Sequence, residues 1–255
     1  MKFKVNGKEM KEKIESVLLK GKWNYGTNNK QTTLSSSIVM GVDAEEMKCS
    51  IWNADPATFV ENKISLEEYE NTVEGRFAID TDILLKYLSN EVCLFRLEDN
   101  GLIISTEKKS VKLPVLERHQ YNDNIIHSVS NITMSRNMEE PVVISSRTSL
   151  TTRLKVPTAD LVEAFKECEV VGNSVYKMTY VVNTELRISS TKGSESVEFD
   201  IEPMESVGED AIVEFSAPFF KYLKAGITYI SYNDESPISV INGDYKLLRA
   251  PRIEG

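Results

Sequence analysis

The sequence predicts an α+β protein built from two copies of one domain, each copy setting two helices against antiparallel sheets. Three observations predict it. Lys86-Tyr-Leu88 and Lys221-Tyr-Leu223 repeat a tripeptide, and three strand candidates separated by turns follow each. The closing segments Lys112-Leu-Pro-Val-Leu-Glu117 and Arg249-Ala-Pro-Arg-Ile-Glu254 put Pro114 and Pro251 at matching places. Thr152-Arg-Leu-Lys-Val-Pro157 restarts the pattern opened by Phe3-Lys-Val-Asn6. The helix after each start has the same apolar spacing, Met10, Ile14 and Val17 against Leu161, Phe165 and Cys168.

In the first copy, Phe3 to Val5 reads as a strand, and Asn6 is placed to cap a helix from about Gly7 to Lys20, stopped by Gly21. Lys8, Lys11 and Lys13 alternate with Glu9, Glu12 and Glu15 off the apolar face, which by itself reads as a solvated face with i,i+4 pairs. Ser37 to Val42, Met47 to Trp52 and Thr58 to Ile64 read as strands, with Asn53-Ala-Asp-Pro56 as a turn between the last two. Arg76 to Ile79 leads into the Lys-Tyr-Leu helix, capped by Asp80 or Thr81. Strands at Glu91 to Leu97, Leu102 to Thr106 and Lys109 to Val115 close the copy.

The stretch from Arg118 to about Leu150 is polar, holds His119 and His127, and reads as a connector, with Val142 to Ser145 as a strand of its own. Uninterrupted loops beyond about 12–15 residues are uncommon unless they serve a function or are disordered. In the second copy a helix runs from Thr158 to about Val171. Strands follow at Val175 to Val182, Glu185 to Ser190 and Glu195 to Ile201, with turns at Asn183-Thr184 and Lys192-Gly193. Phe215 to Ala225 reads as a short helix. The division expected is 1–117, a connector at 118–150, and 151–255.

With 41% hydrophobic and 27% charged residues over 255 positions, the composition is that of an ordinary globular chain. No apolar run approaches the ~20 residues of a membrane helix, and the N-terminus has no apolar signal core, so secretion is not expected. A net charge of −9 opposes a simple basic nucleic-acid binder, but total charge does not reveal a basic wall inside an acidic shell. Cys49, Cys93 and Cys168 lack close spacing, and buried free thiols are expected. Phosphate-loop, metalloprotease-helix, nucleophile-elbow and Cys-x-x-Cys patterns are all absent. No catalytic residue, metal or cofactor is expected.

Leu247-Leu-Arg-Ala-Pro-Arg-Ile-Glu254, after a Lys-Tyr-Leu helix and three strands, resembles the C-terminus of the archaeal and eukaryotic sliding clamps, the proliferating cell nuclear antigen family. Asp55-Pro56 is similar to the family's Met-Asp-Pro-Ser turn with Ala54 replacing the methionine, and Lys155-Val-Pro157 opens the second half. The resemblance covers nearly the whole chain. It implies a homotrimeric ring of six duplicated domains around double-stranded DNA, held without base readout and without a cofactor. DNA polymerase, the clamp loader and other proteins with clamp-binding motifs would be its partners. It implies a cytoplasmic protein in an archaeon or a virus of prokaryotes, and a nuclear one in a eukaryote.

Carried onto this sequence, the resemblance implies DNA contacts from Lys11, Lys20, Lys22, Lys86, Lys166, Lys221 and Lys224. Asp80, Asp82, Asp160, Glu163 and Glu167 share helices with two of these, so the contact should be weak and salt-sensitive. It implies a partner pocket from Ala54, Ile125, Ile126, Pro237, Leu248, Arg249, Ala250 and Pro251, although Tyr245, Leu247 and Leu248 equally fit a strand core. It implies a subunit junction in which Lys108, Lys109, Val111 and Lys112 meet Glu195, Val197, Glu198 and Phe199 of the next copy. That opposite charge suits pairing, and it equally suits keeping free edges apart. The long connector, the mixed charge of the helices and Arg249 in a normally aliphatic place depart from the family. The other readings are a clamp paralogue acting as a heteromeric subunit or regulator and, from a different class, a two-domain α+β enzyme on a small polar substrate.

Overall fold

The computed structural model describes every residue except 20–36, 56, 71–75, 99–100, 118–122, 131, 133, 147, 173–174, 217–219 and 253–255. The chain forms two compact units, Met1–His127 and Ser128–Gly255.

In the first unit β1 (Lys2–Asn6) leads into α1 (Gly7–Ser16), where the Asn6 side chain accepts the Glu9 N–H at 3.1 Å. Met10, Ile14 and Val17 are fully buried. The helix ends at Ser16 rather than near Lys20. The Val17 N–H turns back to the Ile14 carbonyl at 3.1 Å, tightening the last turn, and the Ser16 hydroxyl donates to the Lys13 carbonyl at 2.6 Å. The strands that follow are β2 (Ser37–Asp43), β3 (Lys48–Asp55), β4 (Thr58–Ser65), β5 (Glu68–Glu70) and β6 (Arg76–Asp80). Next come α2 (Thr81–Tyr87), β7 (Val92–Glu98), β8 (Gly101–Ser105) and β9 (Ser110–Pro114). Asp80, not Thr81, caps α2, accepting the Ile83 N–H at 3.0 Å. All pairings are antiparallel, in the orders β5-β1-β7-β8-β9 and β4-β3-β2-β6. A further helix, α3 (Asp123–Ser130), follows.

The second unit opens with a small hairpin, β10 (Val142–Ser145) with β11 (Thr148–Leu150). Then come β12 (Thr152–Pro157), α4 (Thr158–Val170), β13 (Val175–Tyr180), β14 (Leu186–Lys192), β15 (Glu195–Ile201) and β16 (Glu205–Val207). β17 (Ala211–Ser216), a 3₁₀ turn at Phe220–Tyr222, β18 (Ile227–Tyr232), β19 (Ile238–Asn242) and β20 (Tyr245–Arg249) complete it. The strand orders are β16-β12-β18-β19-β20 and β15-β14-β13-β17. Phe165 of α4 meets the Tyr176 and Phe215 rings edge-on at 5.4 and 6.1 Å, joining the helix to β13 and β17. Both expected turns need left-handed backbone, supplied by Asn183 (φ 63°) and Gly193 (φ 64°).

The two units repeat each other down to single hydrogen bonds. Gly7 donates to Glu91 O as Thr158 does to Gly226 O, and Glu67 to Lys4 O as Met204 does to Lys155 O. Leu116 donates to Ala78 O as Arg252 does to Glu214 O. Even the ion pair of Lys4 with Glu68 has a counterpart in Lys155 with Glu205. Pro114 precedes its returning donor by two residues and Pro251 by one, so the two prolines are one step out of register. Two further expectations change. Asn53, Ala54 and Asp55 all lie within β3, and the Asp55 carboxylate at its end accepts the Ala57 N–H at 2.8 Å. Among the described residues the stretch expected as a Phe215–Ala225 helix begins as strand, with Phe215 and Ser216 in β17, and a 3₁₀ turn at Phe220–Tyr222 carries Lys221 and Tyr222.

Asn242 fixes the chain after that turn. Its buried Oδ1 accepts the N–H groups of Lys224 and Ala225, both at 2.8 Å, and its amide hydrogens reach Thr158 and Thr228 hydroxyls and the carbonyls of Ala225 and Ile227. Asn242→Leu keeps the volume but leaves these groups unsatisfied. It is expected to lower stability by about 2–3 kcal/mol, read from the urea unfolding midpoint.

Candidate nucleic-acid and partner interfaces

The lysines expected to face DNA fall into three groups. Lys20 and Lys22 lie outside the described residues. Lys11 is half-buried, and its Nζ donates to Asn90 Oδ1 at 2.8 Å, so it is engaged within its own unit. Lys86, Lys166, Lys221 and Lys224 are exposed, at the end of α2, on α4, and on or just after the 3₁₀ turn. Lys86 lies with its ammonium 5.5 Å from the Tyr87 ring, and Lys221 repeats this over Tyr222 at the same distance.

The structure adds Lys109 to the first of these places. Its Nζ lies 5.0 Å from the Tyr87 ring, because β9 starts only at Ser110 and leaves Lys108 and Lys109 in the turn after β8. These two lysines therefore leave the edge strand in which the sequence placed them. The Thr106 N–H to Lys109 carbonyl bond at 2.8 Å closes that turn before pairing resumes. The signal for this grouping was the Lys108-Lys109 pair in a turn that comes back beside α2.

β9 and β15 are both outermost strands in their units. On β9, Val111 is half-buried and Lys112 is exposed, its Nζ 4.0 Å from Glu98 Oε2. On β15, Glu195 and Glu198 are exposed, while Val197 and Phe199 are half-buried on the face shared with buried Ile201. Arg187 from β14 grips Asp200 at 2.7 and 3.0 Å and reaches Glu198 at 3.2 Å. Its guanidinium holds the Asp200 carboxyl below the ordinary carboxylate range. Much of the charge on β15 is thus answered within its own sheet. What both edges leave open is backbone and half-covered apolar side chains.

Several partner-pocket candidates are buried rather than presented. Ala54 is 1% exposed, opposite Phe59 in the β3–β4 ladder, and Ile126 and Leu248 are also buried. The side chain of Ile125 is outside the described residues. Pro237 and Pro251 are half-buried, Arg249 is partly exposed and Ala250 is exposed. They meet at the open end of the β19–β20 hairpin, where Ile238 pairs with Arg249.

The 134–140 segment is held on the second unit by arginines. Arg153 of β12 is 1% exposed, and its guanidinium donates to the carbonyls of Ser135, Asn137 and Glu140 and, through Nε, to the Ser231 hydroxyl. Burial lowers its pKa, and the Glu140 charge opposes that shift. Arg136 donates to Gly243 O in the β19–β20 turn, and Met134 and Met138 are buried. Nothing in the residue pattern singles out Arg153, whose strand position reads as a solvent-facing one.

Among the described residues no three His, Cys, Asp or Glu side chains group as metal ligands. His127 is exposed, and His119 lies outside the described residues. The three cysteines are buried free thiols, with burial pushing Cys49 up to about 12 and Cys168 to about 11, far from thiolate reactivity. No described helix is long and apolar enough to cross a membrane.

No family model matches the sequence, and no curated protein does. Solved structures do. The chain superimposes on A. fulgidus PCNA, solved with the C-terminal region of FEN-1, at a TM-score of 0.72 and 17% identity, covering 100% of this chain and 99% of that one. Against the PCNA2–PCNA3 complex from Sulfolobus tokodaii the values are 0.66 and 14%, with both chains fully covered. The DNA polymerase III beta subunit from Thermotoga maritima gives 0.73 and 15%, with all of this chain on 66% of that one. The chain thus has the sliding-clamp fold, spanning about two thirds of the bacterial subunit and nearly all of the PCNA chains.

Proposed function

We propose that the protein is a sliding-clamp subunit, which closes into a ring around duplex DNA and tethers polymerase and other DNA enzymes to it without chemistry of its own. The observation that carries this reading is a duplicated clamp fold that leaves β9 and β15 as open outer strands. Head-to-tail pairing of β9 with β15 of the next copy uses up both edges and lets the ring close. The domain division proposed is 1–117 and 151–255 about a connector at 118–150. A clamp of this kind works wherever the genome is copied, which in a prokaryotic host is the cytoplasm.

Duplex DNA would meet Lys86, Lys166, Lys221 and Lys224, together with Lys20 and Lys22 and, less directly, Lys11. Such lysines neutralise phosphates and read no bases, so the ring slides and topology retains it. Removing Lys86, Lys221 and Lys224 together is expected to flatten the plot of log affinity against log salt by about 0.9 for each phosphate no longer neutralised. Fluorescence anisotropy on a short duplex checks this, and an unchanged slope would remove these lysines from the interface.

Partners would dock at the open end of the β19–β20 hairpin, on Pro237, Arg249, Ala250 and Pro251. Ala54, Ile125, Ile126 and Leu248 complete the set that the resemblance implies. Pro237→Glu with Ala250→Glu is expected to weaken a synthetic clamp-binding-motif peptide by at least about 2 kcal/mol, since charges would stand where an apolar plug enters. Titration calorimetry measures it. The A. fulgidus complex with a FEN-1 segment supports a docking role of this kind, and the two-protein Sulfolobus complex supports assembly.

A further inference from the structure

The turn that returns beside the Lys-Tyr-Leu tripeptide differs between the two units in what it delivers. In the second unit the β19–β20 turn brings Tyr245 to Tyr222, and the buried Tyr245 ring lies 6.5 Å from its partner. In the first unit the β8–β9 turn has the same length, since Ser105 pairs with Ser110 as Ile241 pairs with Lys246. Counted from those pairs, Lys109 stands where Tyr245 stands, and Lys108 where Asp244 stands. An aromatic contact that completes the packing of one copy is thus replaced in the other by an exposed lysine, its ammonium 5.0 Å from the Tyr87 ring. The fold closes with an aromatic at this place, so packing is not what calls for a cation there.

Lys109 is one of three lysines gathered here. The Lys86 ammonium lies 5.5 Å from the same Tyr87 ring, and Lys108 is exposed in the turn beside Lys109. Two ammoniums that reach one ring are no farther apart than those two distances combined. Among the described residues none of the three lysines has a carboxylate at ion-pair distance. Of the acids carried on the same segments, Asp80 accepts the Ile83 N–H at 3.0 Å, and Asp82 and Glu107 are exposed without pairing to these lysines. The half-buried Tyr87 ring therefore restrains two cations without neutralising them. Like charges held together in this way favour an anion with several oxygens, and a phosphodiester backbone supplies such groups in series. In the second unit Tyr245 and Asp244 leave Lys221 without either companion.

We infer that Lys86, Lys108 and Lys109 form a DNA phosphate site in the first unit, with Tyr87 positioning the ammoniums, and that the second unit has no equal of it. The inference rests on the reading of the chain as a DNA clamp, and it moves Lys108 and Lys109 from the subunit junction to the DNA surface. Lys109→Tyr copies the second unit. In fluorescence anisotropy on a short labelled duplex at low salt it should weaken binding at least fivefold and melt no lower than the parent. Lys108→Ser with Lys109→Ser should flatten the plot of log affinity against log salt by about 0.9 for each phosphate no longer neutralised. Tyr87→Leu should weaken binding about threefold, and Tyr87→Phe, which keeps the ring, should restore it. Lys177→Ser removes a lysine that lies 3.9 Å from Glu214 and should leave the slope unchanged. A parent that binds and lysine variants that bind equally well would overturn the site alone, whereas a parent that binds no duplex would sink the clamp reading with it. Equal loss from Lys177→Ser would make net charge the cause. Melting temperatures lowered in both lysine variants would assign these side chains to the fold, and a mass in light scattering that falls would return them to the subunit junction. Equal loss from Tyr87→Phe and Tyr87→Leu would end the role of the ring.

Discussion

Replacing Arg153 by leucine is expected to lower the unfolding free energy of the second unit by about 3 kcal/mol, because three carbonyls and a hydroxyl lose a charged donor whose bonds contribute about 1.5–3 kcal/mol each before the arginine's own desolvation is offset. The guanidinium supplies fixed donors to three carbonyls of the 134–140 segment and one hydroxyl, in a place where water does not reach. Leucine supplies none, so the carbonyls of Ser135, Asn137 and Glu140 all lose this donor, and only that of Asn137 keeps a backbone partner in the Glu140 N–H. Arg153→Lys should recover only part of the loss, because one ammonium cannot span acceptors arranged around a planar fork. Urea unfolding measures the change. Limited proteolysis should separately show cleavage between Ser135 and Glu140 well below the unfolding midpoint, since that segment loses its anchor first. If the variant unfolds within about 1 kcal/mol of the parent, the scale of a single ordinary hydrogen bond, the guanidinium is not the anchor.

Phe199→Asp should convert the assembly proposed here into single chains, with the mass in light scattering falling from about three times 28.8 kDa to 28.8 kDa. Phe199 is half-buried on an outer strand, on the face that packs inward. A neighbouring copy would complete its cover, and a carboxylate there would have to be desolvated at every junction. A loss of at least about 2 kcal/mol per junction is the scale for a central apolar anchor, and a closed ring suffers it at each junction. Lys112→Glu should do much less. Lys112 already lies near Glu98, and Arg187 already answers Glu198 and Asp200, so the charges across this junction are largely satisfied within each sheet. A trimer that survives Phe199→Asp would place the junction elsewhere.

The strands were the legible part of the fold, because side-chain alternation and left-handed turn residues mark both their interiors and their ends. β10, β12 and β15 begin and end where the residues indicate, and the turns at Asn183 and Gly193 show the positive φ that their residue types suit. Helix ends were less legible. Nothing before Gly21 marks Ser16 as the end of α1, since the decision lies in a hydroxyl that bonds both backward to Lys13 and across to Asn62. The shared Lys-Tyr-Leu suggested equal helices, yet one copy makes two turns of helix, while in the other the described residues form a 3₁₀ turn at Phe220–Tyr222. In the candidate site, exposure separated what sequence could not. Lys86, Lys221 and Lys224 reach solvent, whereas Lys11 is engaged and Ala54, Ile126 and Leu248 are buried. Arg153 stayed invisible because three of its four partners are carbonyls, and backbone acceptors have no sequence signature.

The hydrogen bonds that the two units share bear on how this chain can change. Each matched bond runs from a main-chain N–H to a main-chain carbonyl: Gly7 to Glu91 and Thr158 to Gly226, Leu116 to Ala78 and Arg252 to Glu214. The donors are glycine and threonine in one pair, leucine and arginine in the other, so the frame does not record which side chains it carries. Where the frame is held by main-chain bonds alone, substitution can therefore accumulate, between the two halves and between this chain and others, while the architecture stays intact. At 17% identity to an archaeal clamp, what the two chains still hold in common is a pattern of backbone geometry that outlasts the lettering written on it.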